Sequence, residues 1–141
     1  MRRREFVELA AGAVGAATLS GCAAFVVTPV TPVNGEIRLP LRNYPQLEEP
    51  GGYVKLRPAG AQSMIYVVAA GPRRYAALSS VCTHLQCTVN VEGRQIRCPC
   101  HGSTFDREGN VLQGPATQPL ARYATSVTAG GELVIRYVQA R

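Results

Sequence analysis

The chain contains no tryptophan, a single lysine (Lys55) and only two histidines, His84 and His101. Arginine therefore carries nearly all of the positive charge behind a net charge of +6. No cluster of basic residues sits beside stacking aromatics, which leaves a nucleic-acid-binding role without support. A basic surface of this size instead guides encounters with an acidic partner or an anionic membrane, or simply keeps the protein soluble. Long apolar runs are also missing. The apolar run near the start, Ala10 to Leu19, is far shorter than the roughly 20 residues that span a bilayer. After Gly35 no stretch holds a 3.6-residue period for the roughly ten residues of a helix, so a helical bundle is excluded. No internal repeat is visible.

The first residues, MRRREFVELAAGAVGAATLSGC, have the three parts of an export signal: a cationic head at Arg2 to Arg4, the short apolar middle, and small residues after it. RREF resembles a twin-arginine signal, whose pathway exports folded proteins. LSGC, Leu19 to Cys22, resembles a lipobox, in which Cys22 takes lipid and becomes the mature N-terminus; the other reading is a small apolar residue in an uncleaved anchor. The expectation is a signal at 1–21, a membrane anchor at Cys22 and an extracytoplasmic, periplasmic location. Residues 22–34 follow with Pro29 and Pro32 in a Thr/Val-rich run, a composition suited to an extended tether reaching at most roughly 40 Å.

From Gly35 to the C-terminus, 35–141, the signals are all β. EIRLPL, YVKLR, MIYVVAA, RYAALSSV, TVNVE, RQIRC and ELVIRYV are short, rich in Val, Ile and Tyr, and separated by turn residues. Glu92-Gly93 and Gly130-Gly131 suit tight hairpins, and Asp106 to Asn110 suits a slightly longer one. The predicted fold is an all-β domain of small stacked antiparallel sheets.

The five cysteines are Cys22, Cys82, Cys87, Cys98 and Cys100. Four of them, with both histidines, fall in two loops: CTHLQC at Cys82 to Cys87 and CPCHGS at Cys98 to Ser103. One predicted hairpin, TVNVEGRQIR, separates the loops, and a hairpin returns its two ends to the same place. Each loop then offers a cysteine and a histidine, Cys82 with His84 and Cys98 with His101, and leaves one cysteine over, Cys87 and Cys100. The pattern of ligand types and order, with Pro99, Gly102 and Ser103, resembles the Rieske iron–sulfur proteins. That resemblance is close over the two loops, within a cluster-binding part at about 80–120, and loose over the rest of 35–141. It implies one 2Fe–2S cluster per chain, with Cys82 and Cys98 on one iron and His84 and His101 on the other. It also implies a loop-to-loop disulfide between Cys87 and Cys100, as in the high-potential members of cytochrome bc and b6f complexes. Such a bridge needs an oxidising compartment, in agreement with the export signal.

Charge explains the imidazoles. Two ferric ions, two sulfides, two thiolates and two neutral imidazoles sum to zero, whereas an all-cysteine cluster carries two more negative charges. An electron adds more easily to the neutral centre, which raises the potential into a window of about −150 to +300 mV. By the same resemblance, Ser103 donates a hydrogen bond to a cluster sulfide. Phe105 stands where high-potential members have a tyrosine making a second such bond, so the implied potential is lower by roughly 60–130 mV. Gln86 stands where those proteins usually have glycine. GPATQPL, Gly114 to Leu120, is similar to the proline-bearing loop over the cluster, or else is a plain surface turn. Leu85 is either an apolar docking tip or a shield for the cluster.

A zinc-binding structural module is the alternative for two cysteines and two histidines. Structural zinc, however, uses wider spacings than Cys82-Thr83-His84 and leaves the pair Cys87 and Cys100 unexplained. A self-contained ring-hydroxylating oxygenase needs a second iron on two histidines and a carboxylate, and both histidines are already committed. Two one-electron roles stay open. One is the redox subunit of a quinol-oxidising cytochrome bc-type complex; the other is a tethered carrier or small subunit serving an exported oxidoreductase. The implied partners are a redox protein (a cytochrome b or c, or an oxidoreductase subunit), quinol in the first case, and the membrane.

Overall fold

The computed structural model describes residues 26–138. The signal-like segment and Cys22 lie outside the described residues. Twelve strands follow in order: β1 (Val27–Val30), β2 (Glu36–Pro40), β3 (Tyr53–Pro58), β4 (Ile65–Gly71), β5 (Arg74–Ser79), β6 (Asn90–Glu92), β7 (Gln95–Arg97), β8 (Thr104–Phe105), β9 (Val111–Gln113), β10 (Arg122–Tyr123), β11 (Thr125–Val127) and β12 (Glu132–Arg136). They form a five-stranded sheet in the order β1-β3-β4-β5-β10, a three-stranded sheet β11-β12-β2, and a four-stranded sheet β6-β7-β8-β9. No helix among the described residues is long and apolar enough to cross a membrane. Among the described residues the helical content is two 3-10 turns, Leu41–Asn43 and Pro45–Glu48, the second burying Leu47.

The stacking follows from side-chain alternation. In β2, Ile37 and Leu39 turn inward and Arg38 turns out; in β3, Val54 and Leu56 are buried while Arg57 is exposed. Strand β4 is different, because Ile65, Tyr66, Val67 and Val68 are all buried. A strand buried on both faces needs a core on each side. Ile65 and Val67 join the core that includes Leu39, Leu56, Leu133 and Ile135. Tyr66 and Val68 face the other way, into a core with Cys82, Val89, Ile96, Cys98, Phe105 and Leu120. The five-stranded sheet is thus the shared wall between the three-stranded sheet and the four-stranded one. Fully buried side chains such as Leu56, Ile96 and Leu133 each contribute roughly 1.5–3 kcal/mol by leaving water.

Tyr66 and Arg107 are among the residues that fix the four-stranded sheet to this wall. The buried Tyr66 hydroxyl donates to the Val89 carbonyl at 2.8 Å. Arg107, in the turn after β8, donates to the carbonyls of Ala69 (2.7 Å) and Gly51 (3.2 Å), and also to those of Gly93 and Gly52. One guanidinium therefore ties the tip of the β6–β7 hairpin to the end of β4 and to the loop before β3, and burial lowers its pKa. Glycine is required at Gly52, where a Cβ would lie 1.6 Å from the Gln46 carbonyl oxygen.

Three details correct the sequence reading. The segment 22–34 is not all tether: Val27–Val30 pairs with Lys55–Pro58 as the edge of the five-stranded sheet. Proline is tolerated there because an edge strand leaves one side of its backbone unpaired. That pair is also parallel, the exception among otherwise antiparallel sheets. The β6–β7 turn falls on Gly93-Arg94, one residue later than expected, since Glu92 and Gln95 pair directly.

Candidate metal centre

The β6–β7 hairpin pairs Asn90 with Arg97, Val91 with Ile96 and Glu92 with Gln95, and a ligand-type loop sits at each of its ends. The two loops share one backbone design. In the first, the Cys82 N–H donates to the Cys87 carbonyl at 2.8 Å and the Gln86 N–H to the Cys82 carbonyl at 3.0 Å. In the second, the Cys98 N–H donates to the Ser103 carbonyl at 2.8 Å and the Gly102 N–H to the Cys98 carbonyl at 3.0 Å. The fifth residue of each is in the left-handed region, Gln86 at φ 62° and Gly102 at φ 80°.

Cys87 and Cys100 form a disulfide with a Cα–Cα distance of 6.5 Å. It fastens one loop to the other across a closed loop worth about 3 kcal/mol in the chain-entropy model. The sulfurs of Cys87, Cys98 and Cys100 lie within 4.8 Å of one another, but two of the three are spent in the bridge. Cys82 and Cys98 are free thiols, both buried in the second core. Burial pushes the Cys82 thiol up, and the adjacent Cys98 adds to this, while hydrogen bonds from the His84 and Leu85 backbone pull it down. Those amides suit a sulfur that carries negative charge.

The His84 and His101 rings stand edge to face, with centroids 5.0 Å apart and planes at 89°. His101 is exposed and His84 half-buried. Yet His84 Nδ1 is fully enclosed and has no hydrogen-bond partner among the described residues. A buried nitrogen left unsatisfied is costly, and a metal ion bound to it removes that cost. Two buried thiols facing one another and an orphaned imidazole nitrogen beside a second imidazole fit an iron–sulfur cluster of mixed ligation. Leu85, between these features in the chain, is 61% exposed.

Ser103 is completely buried, and its Oγ accepts the Ala116 N–H at 2.9 Å, which leaves the hydroxyl proton free to be donated elsewhere. The Gly114–Leu120 loop is more than a surface turn. Ala116 is buried in the same core as Cys82 and Cys98, and Thr83 Oγ1 donates to the Gln118 carbonyl at 2.6 Å. Phe105 is buried in that core too. The contributions of Ala116, Thr83 and Arg107 were not read from the sequence; the backbone partners of Ser103 and Thr83 carry no residue-type signal.

The site's likeness to known proteins is extensive. The Rieske [2Fe-2S] domain model matches residues 39–124. The cytochrome b6-f complex iron-sulfur subunit of Chlorobaculum tepidum is 30% identical over 132 residues, covering 91% of this chain and 72% of that protein. The corresponding subunit of Synechococcus elongatus is 42% identical over 73 residues, which are 49% of this chain and 41% of that protein. Among solved structures, the plasma-membrane Rieske protein of Synechocystis PCC 6803 superposes with a TM-score of 0.53 at 33% identity, over 60% of this chain and 85% of that one.

Proposed function

The chain belongs to the Rieske [2Fe-2S] domain family and carries its 2Fe–2S cluster; on that footing we propose that it is the redox subunit of a quinol-oxidising, cytochrome bc-type complex. The proposed ligands are Cys82 and Cys98 on one iron and His84 and His101 on the other. When bound, the cluster supplies one reversible electron. The chain's own residues do the rest. Cys82 and Cys98 sit in a core that excludes water. The backbone amides of His84 and Leu85 address the Cys82 sulfur. Ser103, anchored by Ala116, offers its proton toward the space between the loops. His101, exposed at the tip, is where a proton from quinol is taken up. The Cys87–Cys100 bridge keeps the loops at fixed separation through each cycle.

The observation that carries this reading is the enclosed, unpartnered His84 Nδ1 placed between two disulfide-fastened loops. The likeness to b6-f subunits favours the quinol-oxidising role over that of a free carrier. We further propose that the protein acts on the exported side of a membrane, held there through its N-terminal segment and Cys22. The test combines three measurements on anaerobically purified protein: iron and acid-labile sulfide, the low-average-g resonance of a cluster with nitrogen ligands, and reduction by a short-chain quinol in its membrane complex. A colourless, zinc-loaded protein would defeat the assignment. A cluster that quinol-fed membranes do not reduce would leave the carrier role instead. Intact-mass analysis of the membrane fraction tests the lipid on Cys22.

A further inference from the structure

Gln86 occupies a position that neither the fold nor the ligand set explains. Its φ of 62° lies in the left-handed region, which is uncommon for a long side chain and comfortable for glycine. Its equivalent in the second loop is a glycine, Gly102, in the same conformation. The one contact Gln86 makes for the loop, its N–H to the Cys82 carbonyl, belongs to the backbone and would survive in glycine. Its side chain is exposed and makes no hydrogen bond among the described residues. Backbone strain retained at a site, with no return inside the molecule, points outward.

The surroundings say what it points to. The chain has no Asp, Glu, Lys or Arg from Tyr75 to Val91, from Cys98 to Phe105, or from Val111 to Ala121. The stretches that carry His84, Leu85 and His101 therefore bring no formal charge to the tip apart from the imidazoles. A face like this cannot be oriented by ion pairs and must be oriented by shape and neutral hydrogen bonds.

We propose that Gln86 is a specificity-determining residue whose amide hydrogen-bonds an uncharged face of the redox partner protein and so sets how the tip docks. The inference rests on the electron-transfer function proposed above. The test uses the full chain with its cluster, added back to membranes from a strain lacking it, with a short-chain quinol as donor. Rates of cluster reduction are followed against chain concentration. Gln86→Gly should raise the half-saturating concentration two- to tenfold, the range of one lost neutral hydrogen bond. The maximal rate, resonance, midpoint potential and melting temperature should hold, with melting rising if it moves. Gln86→Asn, which keeps an amide on a residue tolerant of positive φ, should restore most of the affinity. An unchanged half-saturating concentration in Gln86→Gly overturns the proposal. So does loss of melting temperature or cluster, which would make the side chain structural, or a half-saturating concentration that varies steeply with salt. Wild-type protein that is not reduced at all sinks the quinol-oxidising role and this inference together, whereas normal wild-type reduction with an unaltered variant sinks the inference alone.

Discussion

The loops Cys82–Cys87 and Cys98–Ser103 have the same hydrogen bonds and the same left-handed fifth residue, yet they distribute their side chains differently. Both begin with a buried free thiol. After that they diverge. The third residue is His84 in one loop and Cys100 in the other; the fourth is Leu85 in one and His101 in the other; the sixth is Cys87 in one and Ser103 in the other. The disulfide joins the sixth residue of the first loop to the third of the second. A repeated backbone thus delivers two equivalent sulfurs. With the histidines offset by one residue, one imidazole is half-buried with its Nδ1 enclosed and the other is exposed. The difference teaches that one backbone design places the two thiols alike, while side-chain order places the two imidazoles differently.

The largest test of that equivalence removes the sulfurs. Cys82→Ser and Cys98→Ser should each abolish the cluster, with iron and acid-labile sulfide falling to background. A cluster surviving in either variant would break the symmetry. Next comes the bridge. Cys87→Ser or Cys100→Ser should cost about 2–4 kcal/mol in denaturant unfolding, and leave a cluster that forms but bleaches faster. Equal persistence of wild type and both variants would remove the bridge from the argument. Ser103→Ala should then lower the midpoint potential by roughly 60–130 mV, and Phe105→Tyr should raise it by a similar or smaller amount, both read by redox titration. Gly102→Ala isolates the left-handed position. Nothing lies within 4 Å of the added Cβ, so only the backbone resists, at a cost of about 1–2 kcal/mol by thermal melting.

The smallest effect lies in the turn that follows the second loop and has no counterpart after the first. Burial alone would raise the Asp106 carboxyl, but hydrogen bonds from the Asn110 side chain and backbone and from the Glu108 backbone, with the charge of Arg122, hold it below the usual range. A depressed folded value means that this stabilisation is fully present above about pH 4 and is lost as pH falls through the folded value. Acid melting curves of wild type and Asp106→Asn should therefore converge at low pH and separate above it. Curves that stay parallel throughout would deny Asp106 that role.

Much of this was legible in the sequence because its chemistry is carried by rare residue types. Two histidines and four clustered cysteines leave little freedom, and the hairpin between them declares itself through alternation and Gly93. The longer strands read well for the same reason: Ile37/Arg38/Leu39 and Val54/Lys55/Leu56 show their faces. The stretches β8 to β11 run only two or three residues and are too short to display any period. Strand β1 was masked by Pro29 and Pro32, whose composition reads as linker when no pairing partner is in view. Arg107 was invisible because an arginine in a turn normally faces water, and only the assembled fold collects four carbonyls around it.

That arginine has a mechanical consequence. Peeling the four-stranded sheet away from its neighbour would strip the carbonyls of two separate chain segments, Ala69 and Gly51-Gly52, off a single cation, along with the Tyr66–Val89 bond. The tip and the base therefore travel as one piece. The sheet that carries the two cysteine-bearing loops is thereby anchored to its wall at both a buried hydroxyl and a guanidinium, so neither anchor alone decides whether it stays seated.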